Sequence, residues 1–129
     1  MRLKLGAVLA GVVLAGAGSV AAHHSVTAEY DPDKPIKITG TVTRVEWTNP
    51  HSRLYVDVRQ PDGRVVNWNL ELTARSALVR QGWTGRTVKV GDVITVEGIS
   101  ARTNVSGANA RSVILADGRK VLSGINEDQ

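Results

Sequence analysis

Short runs in which apolar and polar residues alternate, separated by turn residues, cover most of this chain. Two such runs are residues 54–58 and 65–72, with Gln60-Pro61-Asp62-Gly63 between them. Alternation with a period of two places successive side chains on opposite faces of a β-strand, so one face is buried and the other meets solvent. The Pro-Asp-Gly segment predicts a hairpin turn. The chain is therefore expected to fold mainly as β-sheet.

The first strand is predicted to be long and bent. Its apolar residues are even-numbered from Ile36 to Val42 and odd-numbered from Val45 onwards. A change of parity inside one strand indicates an extra residue, so a β-bulge is predicted near Thr43-Arg44. The polar segment before this strand contains two prolines, which disfavour a helix, and it is predicted to be a tether.

One short helix is predicted at Ala74–Gln81, capped by Thr73 and ended by Gly82. Further strands are then expected, with a polar loop that we predict to be a mobile rim; the strands are 93–98, 110–115 and 120–122, and the loop is 100–109. This order of elements is that of a five-stranded Greek-key barrel of the OB type. A small antiparallel sandwich, or an open sheet with one helix, is the alternative.

The first 22 residues have the three parts of a secretory signal. Arg2 and Lys4 precede an apolar stretch, and the small residues Ser19-Val20-Ala21-Ala22 end it. The predicted organisation is then a signal peptide, a tether, one barrel domain and a flexible tail; the bounds are 1–22, 23–35, 36–122 and 123–129. The mature protein is expected in the periplasm, with no stable membrane insertion after cleavage.

Composition limits the partners and the chemistry of the mature chain. Removing residues 1–22 from the 129-residue chain leaves 107, enough for one small domain. The loss of Arg2 and Lys4 lowers the formal net charge from +4 to +2, and the remaining cations are spread among acids, so no nucleic-acid partner is predicted. Cysteine is absent, and the single methionine is Met1. A bound metal would therefore have nitrogen and oxygen ligands.

Two of the three histidines, His23 and His24, lie where the signal peptide ends. Cleavage after Ala22 makes His23 the first residue, whose amine and imidazole would chelate one ion as a histidine brace. Cleavage after Ala21 gives Ala22-His23-His24, in which the amine, two backbone amides and the third imidazole would surround an ion in a plane. Such nitrogen sites suit copper(II) or nickel(II). The third histidine, His51, follows Asn49-Pro50 and is the candidate that would complete a brace.

Other side chains near these histidines are candidates for a second shell or a ligand surface. The carboxylates Glu29 and Asp31 lie in the predicted tether, and Trp47 and Asn49 flank the turn before His51. Outward-facing polar residues on the third strand form a stripe that could bind a sugar or a peptide; these are Asn67, Asn69 and Glu71. Each candidate also has a purely structural interpretation, in which the acids and amides are solvated and the tryptophan packs.

Three stretches resemble an uncharacterised family of small exported bacterial proteins with a domain of unknown function. They are His23-His24-Ser25 through Glu29-Tyr30-Asp31, Gly40-Thr41-Val42 through Glu46-Trp47-Thr48-Asn49-Pro50-His51, and Val66-Asn67-Trp68. The resemblance spans nearly all of the mature chain, and the Glu-Trp-Thr-Asn-Pro-His block is its most specific part. It implies a periplasmic location in a Gram-negative bacterium, and it implies no activity.

The predicted function is non-enzymatic binding of Cu(II), or of Zn(II) or Ni(II), through His23, His24 and His51, for metal carriage or buffering. One alternative is a non-catalytic binding module for an oligosaccharide, a peptide or an envelope protein, using Trp47, the third-strand stripe and the 100–109 loop. A second alternative is a copper oxidase of the histidine-brace type. No catalytic nucleophile with a base is recognisable in the sequence.

Overall fold

The computed structural model describes residues 26–122. Within this range the chain forms six strands and a short helix that lies between the third and fourth strands, and residues 26–29 are also helical. The bounds are β1 (Tyr30–Glu46), β2 (Arg53–Arg59), β3 (Val65–Glu71), α1 (Arg75–Arg80), β4 (Val93–Ala101), β5 (Gly107–Leu115) and β6 (Lys120–Leu122). The predicted class, mainly β with a helix between the third and fourth strands, is confirmed.

The sheet closes on itself because the edge strand β3 also pairs with β5. Antiparallel neighbours follow the order β3-β2-β1-β4-β5-β6. In addition, β3 runs parallel to β5, with Asn69–Glu71 paired to Gly107–Asn109. The ring β1-β2-β3-β5-β4 is therefore the five-stranded OB-type barrel that the order of elements predicts. The ladder that closes the ring, between β3 and β5, has only three residue pairs. The ring is not evenly round, and its shape is also consistent with the predicted alternative of a small sandwich or an open sheet.

Strand β1 begins earlier than the sequence pattern indicates. It starts at Tyr30 rather than at Ile36, so the second half of the predicted tether is strand. Tyr30 is opposite Ala101 of β4, and the register is irregular between Tyr30 and Pro35. Prolines lack an N–H and are accommodated at strand edges and irregularities. They therefore interrupt this end of the strand without preventing it from joining the sheet.

The predicted bulge in β1 is confirmed. Val42 is opposite Val56 of β2, whereas Arg44 is opposite Tyr55, so one residue of β1 is left over at position 43. Gly40 marks a close approach of the two strands, because a Cβ atom there would lie 2.2 Å from the carbonyl oxygen of Asp57.

The barrel interior is filled by the apolar faces that alternation predicts. Residues at most 2% exposed come from all six strands and from α1; they include Val42, Leu54, Val56, Leu70, Leu78, Ile94, Val96, Val113 and Leu122. Trp83, which follows α1, is 4% exposed, and its indole donates a hydrogen bond to the Val121 carbonyl at 2.6 Å. The Trp83 side chain thereby joins the segment after α1 to β6. Trp68 is only partly buried and packs against the edge of the core.

Helix α1 and the β4–β5 loop differ from their predicted forms. The N-cap residue of α1 is Ala74 and not the predicted Thr73. Alanine has no side-chain oxygen, so the N-cap residue makes no side-chain hydrogen bond to the first turn. The amide of Ser76 instead donates to Oδ1 of Asn49, 3.2 Å away. The β4–β5 connection is only residues 102–106, because both strands extend into the predicted loop. Gly107 and Ala108 are small and buried, which allows β5 to pair closely with β3.

Candidate functional site

Glu71, the last residue of β3, is a buried carboxylate. It is 5% exposed, although alternation along β3 predicts that it faces solvent with Asn67 and Asn69. The prediction is wrong for Glu71 because Tyr30, from the early start of β1, and His51, from the β1–β2 loop, cover this end of the strand.

Three side chains contact the Glu71 carboxylate, and each supplies a proton or a positive charge. The Tyr30 hydroxyl donates a hydrogen bond to Oε2. Nη2 of Arg53 lies 3.6 Å from the same oxygen, and Nδ1 of His51 lies 3.2 Å from Oε1. A buried carboxylate is costly unless it is paired and hydrogen-bonded. These contacts therefore join three separate segments of the chain around one charge, and we call the four residues the Glu71 cluster.

The β1–β2 loop holds His51 by hydrogen bonds on both sides of it. The hydroxyl of Thr48 donates to the carbonyl of His51 at 3.0 Å, and the hydroxyl of Ser52 donates to the carbonyl of Thr48 at 3.0 Å. Ser52 is 1% exposed, and its carbonyl accepts the amide of Leu72 at 2.8 Å. The imidazole of His51 thus projects from a loop that is tied to the end of β3.

The contact with Glu71 determines which nitrogen of a neutral His51 has a free lone pair. Nδ1 is the ring nitrogen that faces Oε1 of Glu71, and an ionised carboxylate oxygen attracts a proton on Nδ1 but repels a lone pair, so the contact favours the tautomer with the proton on Nδ1. Nε2 is then the nitrogen with the lone pair, on a side chain that is 52% exposed. A carboxylate behind a histidine is the usual arrangement for fixing the tautomer and the ring orientation of a metal ligand. It is also the arrangement that orients a general base.

The same cluster changes the acidity of Tyr30. Burial, followed by the hydrogen bond to Glu71, raises the pKa of the Tyr30 hydroxyl above its ordinary value. Tyr30 therefore stays a hydrogen-bond donor through the physiological range and keeps the start of β1 attached to the carboxylate.

Three of the predicted candidate residues have structural roles. Asn49 accepts the hydrogen bond from the first turn of α1. Trp47 stacks on Trp83, with ring centroids 6.4 Å apart and planes 10° from parallel. Asn67 donates to Oγ1 of Thr43 at 3.0 Å and to Oδ1 of Asp57 at 2.8 Å. Each of these three side chains thus has a partner within the barrel, and the binding-module alternative that uses Trp47 stays a prediction.

Three further candidate residues contact arginine side chains or backbone; they are Asn69, Glu29 and Asp31. Oδ1 of Asn69 accepts a hydrogen bond from Arg53 at 3.0 Å. The Glu29 carbonyl accepts the amide of Arg102 at 2.9 Å, and Oδ2 of Asp31 lies 3.5 Å from Nη1 of the same arginine. Arg102 thus attaches the N-terminal segment to the β4–β5 loop.

Sequence reasoning missed Tyr30 and Arg53 and placed Glu71 on a solvent-facing stripe, although one signal was present. Counting back from the Gln60–Gly63 turn in the antiparallel register pairs Arg53 with Glu71, as the structure has them. Opposite charges at directly paired positions indicate a cross-strand contact. No comparable signal links Tyr30 to Glu71, because their contact joins residues 41 apart in the chain.

His23 and His24 lie outside the described residues, as do the predicted signal peptide and tail. Across residues 26–122 there is no group of three or more histidine, cysteine, aspartate or glutamate side chains placed to hold a metal ion. His51 and Glu71 thus make up at most part of a metal site. No helix in the same range is long and apolar enough to cross a membrane.

The fold and the cluster define a small OB-type β-barrel with a histidine–carboxylate pair at one end. Residues 10–109 match the family of unknown function DUF6152. The chain belongs to this family, which confirms the predicted membership of an uncharacterised family. A comparison with curated proteins finds no match.

Proposed function

We propose that this protein is exported to the periplasm and binds Cu(II) through its mature N-terminal histidines together with His51, as a carrier or buffer of the metal. The observation that carries the proposal is the contact of 3.2 Å between Nδ1 of His51 and Oε1 of Glu71. It turns Nδ1 of His51 towards the carboxylate and leaves Nε2 available as a ligand, and a neutral imidazole nitrogen suits Cu(II), Ni(II) and Zn(II).

The position of Tyr30 supports the participation of the N-terminus. Tyr30 donates to one oxygen of Glu71, and His51 contacts the other. His24 precedes Tyr30 by six residues, and because residues 26–29 are helical this stretch spans less than about 20 Å, the length of six extended residues. Such a short connection to Tyr30 would keep the start of the mature chain near the Glu71 cluster.

The cleavage register decides between two coordination chemistries. If His23 is the first residue, its amine and imidazole with Nε2 of His51 provide three nitrogen ligands. If Ala22 is the first residue, the amine, two amides and the imidazole of His24 provide four, and His51 is not needed. The contact of His51 with Glu71 favours the first arrangement. Only the first arrangement uses Nε2 of His51 as a metal ligand, and the carboxylate of Glu71 prepares His51 for that use. The same donors would suit the oxidase alternative, whereas a carrier requires no further residues.

The test begins with the intact mass of the exported protein, which fixes the register. Cu(II) titration against a competing chelator then measures affinity, and electron paramagnetic resonance counts the nitrogen ligands. We expect three nitrogens, a loss of at least 100-fold in affinity for His51→Ala, and a loss of about 10- to 100-fold for Glu71→Gln.

Arg86→Ala, an exposed change outside the Glu71 cluster, is the control and should bind Cu(II) as the wild type does. Binding no tighter than that of free histidine would overturn the proposal of a metal carrier. Four nitrogens and an unchanged affinity of His51→Ala would replace the brace with the Ala22-His23-His24 site.

A further inference from the structure

A cleft of about 340 Å³ with both polar and apolar walls lies beside the Glu71 cluster. Its walls are the N-terminal segment, the paired ends of β2 and β3, and the β4–β5 loop. The residues that line it include Ala28, Glu29, Arg53, Asn69, Thr103 and Asn104. Since Arg53 also contacts Glu71, the cleft and the Glu71 cluster share this guanidinium; we call the cleft the Arg53 cleft.

The Arg53 cleft presents both donors and acceptors of hydrogen bonds. Arg53 has five N–H groups, of which one bonds Oδ1 of Asn69. That bond uses only the oxygen of the Asn69 amide. Oδ1 of Asn104 accepts the amide of Ser106 at 3.1 Å, so its bond likewise uses the oxygen. The NH₂ groups of both asparagines are donors, whereas the Glu29 carboxylate is an acceptor and the Thr103 hydroxyl is both.

The charges of the Arg53 cleft favour a neutral ligand over an anion. The guanidinium of Arg53 lies 3.6 Å from Oε2 of the buried Glu71, so its positive charge is already compensated. Glu29 adds a negative charge to the wall. A phosphate or carboxylate group would therefore be repelled by Glu29 and would compete with Glu71 for Arg53.

The size and the walls of the cleft limit the ligand to a small molecule. Its volume is at the lower end of the ~300–1,000 Å³ typical of small-molecule sites. The aromatic ring in its lining belongs to Tyr30, which is 6% exposed, so a broad stacking platform for a long glycan is missing from these walls. Ala28, Ala101 and Gly107 provide small surfaces between the polar groups.

We propose that the Arg53 cleft binds a neutral polyhydroxylic molecule about the size of one sugar ring. A hydroxyl group can both donate and accept a hydrogen bond, so a polyhydroxylic molecule matches walls that offer amide donors, a carboxylate and a hydroxyl. This site is separate from the metal ligands proposed above, and binding there does not require a metal.

The test uses the ¹⁵N-labelled, metal-free protein in EDTA and three probes, namely glucose, N-acetylglucosamine and glucose 6-phosphate. We expect at least one neutral sugar to cause saturable shifts of the amide resonances of Asn69, Thr103 and Asn104. Its dissociation constant should be in the millimolar range, and glucose 6-phosphate should bind at least threefold more weakly than glucose.

Two asparagines on the same strand provide a matched pair of variants. Asn69→Ala removes a donor from the cleft and should weaken sugar binding at least fivefold, whereas Asn67→Ala, two residues away and outside the cleft, should leave it unchanged. Thr103→Trp fills the cleft from an exposed loop position and should abolish binding.

Three results would overturn the proposal. They are the absence of saturable shifts with either neutral sugar up to about 50 mM, tighter binding of glucose 6-phosphate than of glucose, or equal effects of the two asparagine variants. Because copper is absent throughout, none of these results bears on the metal proposal.

Discussion

The hydrogen bond from Tyr30 to Glu71 attaches the N-terminal end of β1 to the barrel, and its removal is expected to destabilise the protein by about 2 kcal/mol. Both partners are buried, at 6% and 5% exposure. A hydrogen bond to a charged group contributes about 1.5–3 kcal/mol to stability. Tyr30→Phe removes this bond and leaves Glu71 with His51 and Arg53, so its cost should lie within that range.

A double-mutant cycle separates this bond from the other contacts of Glu71. Glu71→Ala leaves Arg53 without its counter-charge, a loss that costs about 3–5 kcal/mol for a buried pair. The Arg53 side chain is 33% exposed, so solvent screens it and we expect about 3 kcal/mol. The double variant should then be less destabilised than the sum of the two single variants by about 1.5–3 kcal/mol, which is the coupling energy.

Urea unfolding followed by tryptophan fluorescence measures each free energy of unfolding. With a slope of about 1–1.5 kcal/mol per molar urea, a loss of 2 kcal/mol moves the midpoint by more than about 1 M. Tyr55→Phe is the control, because the Tyr55 hydroxyl makes a long contact of 3.4 Å with Glu46 and should contribute below about 0.5 kcal/mol. A coupling energy below about 0.5 kcal/mol would show that Tyr30 does not anchor the segment that leads to the N-terminal histidines.

Two further predictions concern alkaline stability and strand packing. Burial and Glu71 raise the pKa of Tyr30, so the folded state holds this proton more tightly than the unfolded state does. The free energy of unfolding should therefore fall by up to about 1.4 kcal/mol per pH unit above about pH 10, where the unfolded tyrosine loses its proton. Urea midpoints at pH 9, 10 and 11 should show this fall in Tyr55→Phe and lose it in Tyr30→Phe, and an equal fall in both would contradict the assignment. Gly98→Ala would place a Cβ atom 2.0 Å from the carbonyl oxygen of Asn109 and should cost more than about 2 kcal/mol. The control Gly85→Ala has no neighbouring atom nearer than 4.0 Å, and thermal unfolding that shows equal losses for the two variants would refute this account.

Local patterns predicted most of the barrel because they depend on neighbours in the sequence. Alternation identified the inward faces of β2 and β3, and the parity change located the bulge after Val42. The patterns failed where a distant segment changed the environment of a strand. Two prolines concealed the first residues of β1, and the parallel pairing of β3 with Gly107–Asn109 converted part of a predicted loop into strand.

The candidate site shows the same division between local and distant information. His51 stands out in the sequence because histidine is rare here and because turn residues precede it. The residues that give His51 a defined orientation were not apparent, since Glu71 has the parity of a solvated residue.

The sequence by itself determined a small mainly-β chain with a helix between its third and fourth strands, and it identified the three histidines on which the metal proposal rests. Only the tertiary structure decided that Glu71 is buried and that Tyr30, Arg53 and His51 surround it. The physical reason is that closing the barrel brings the start of β1, the β1–β2 loop and the end of β3 to one place. A carboxylate excluded from water there requires partners from segments that are remote in the chain.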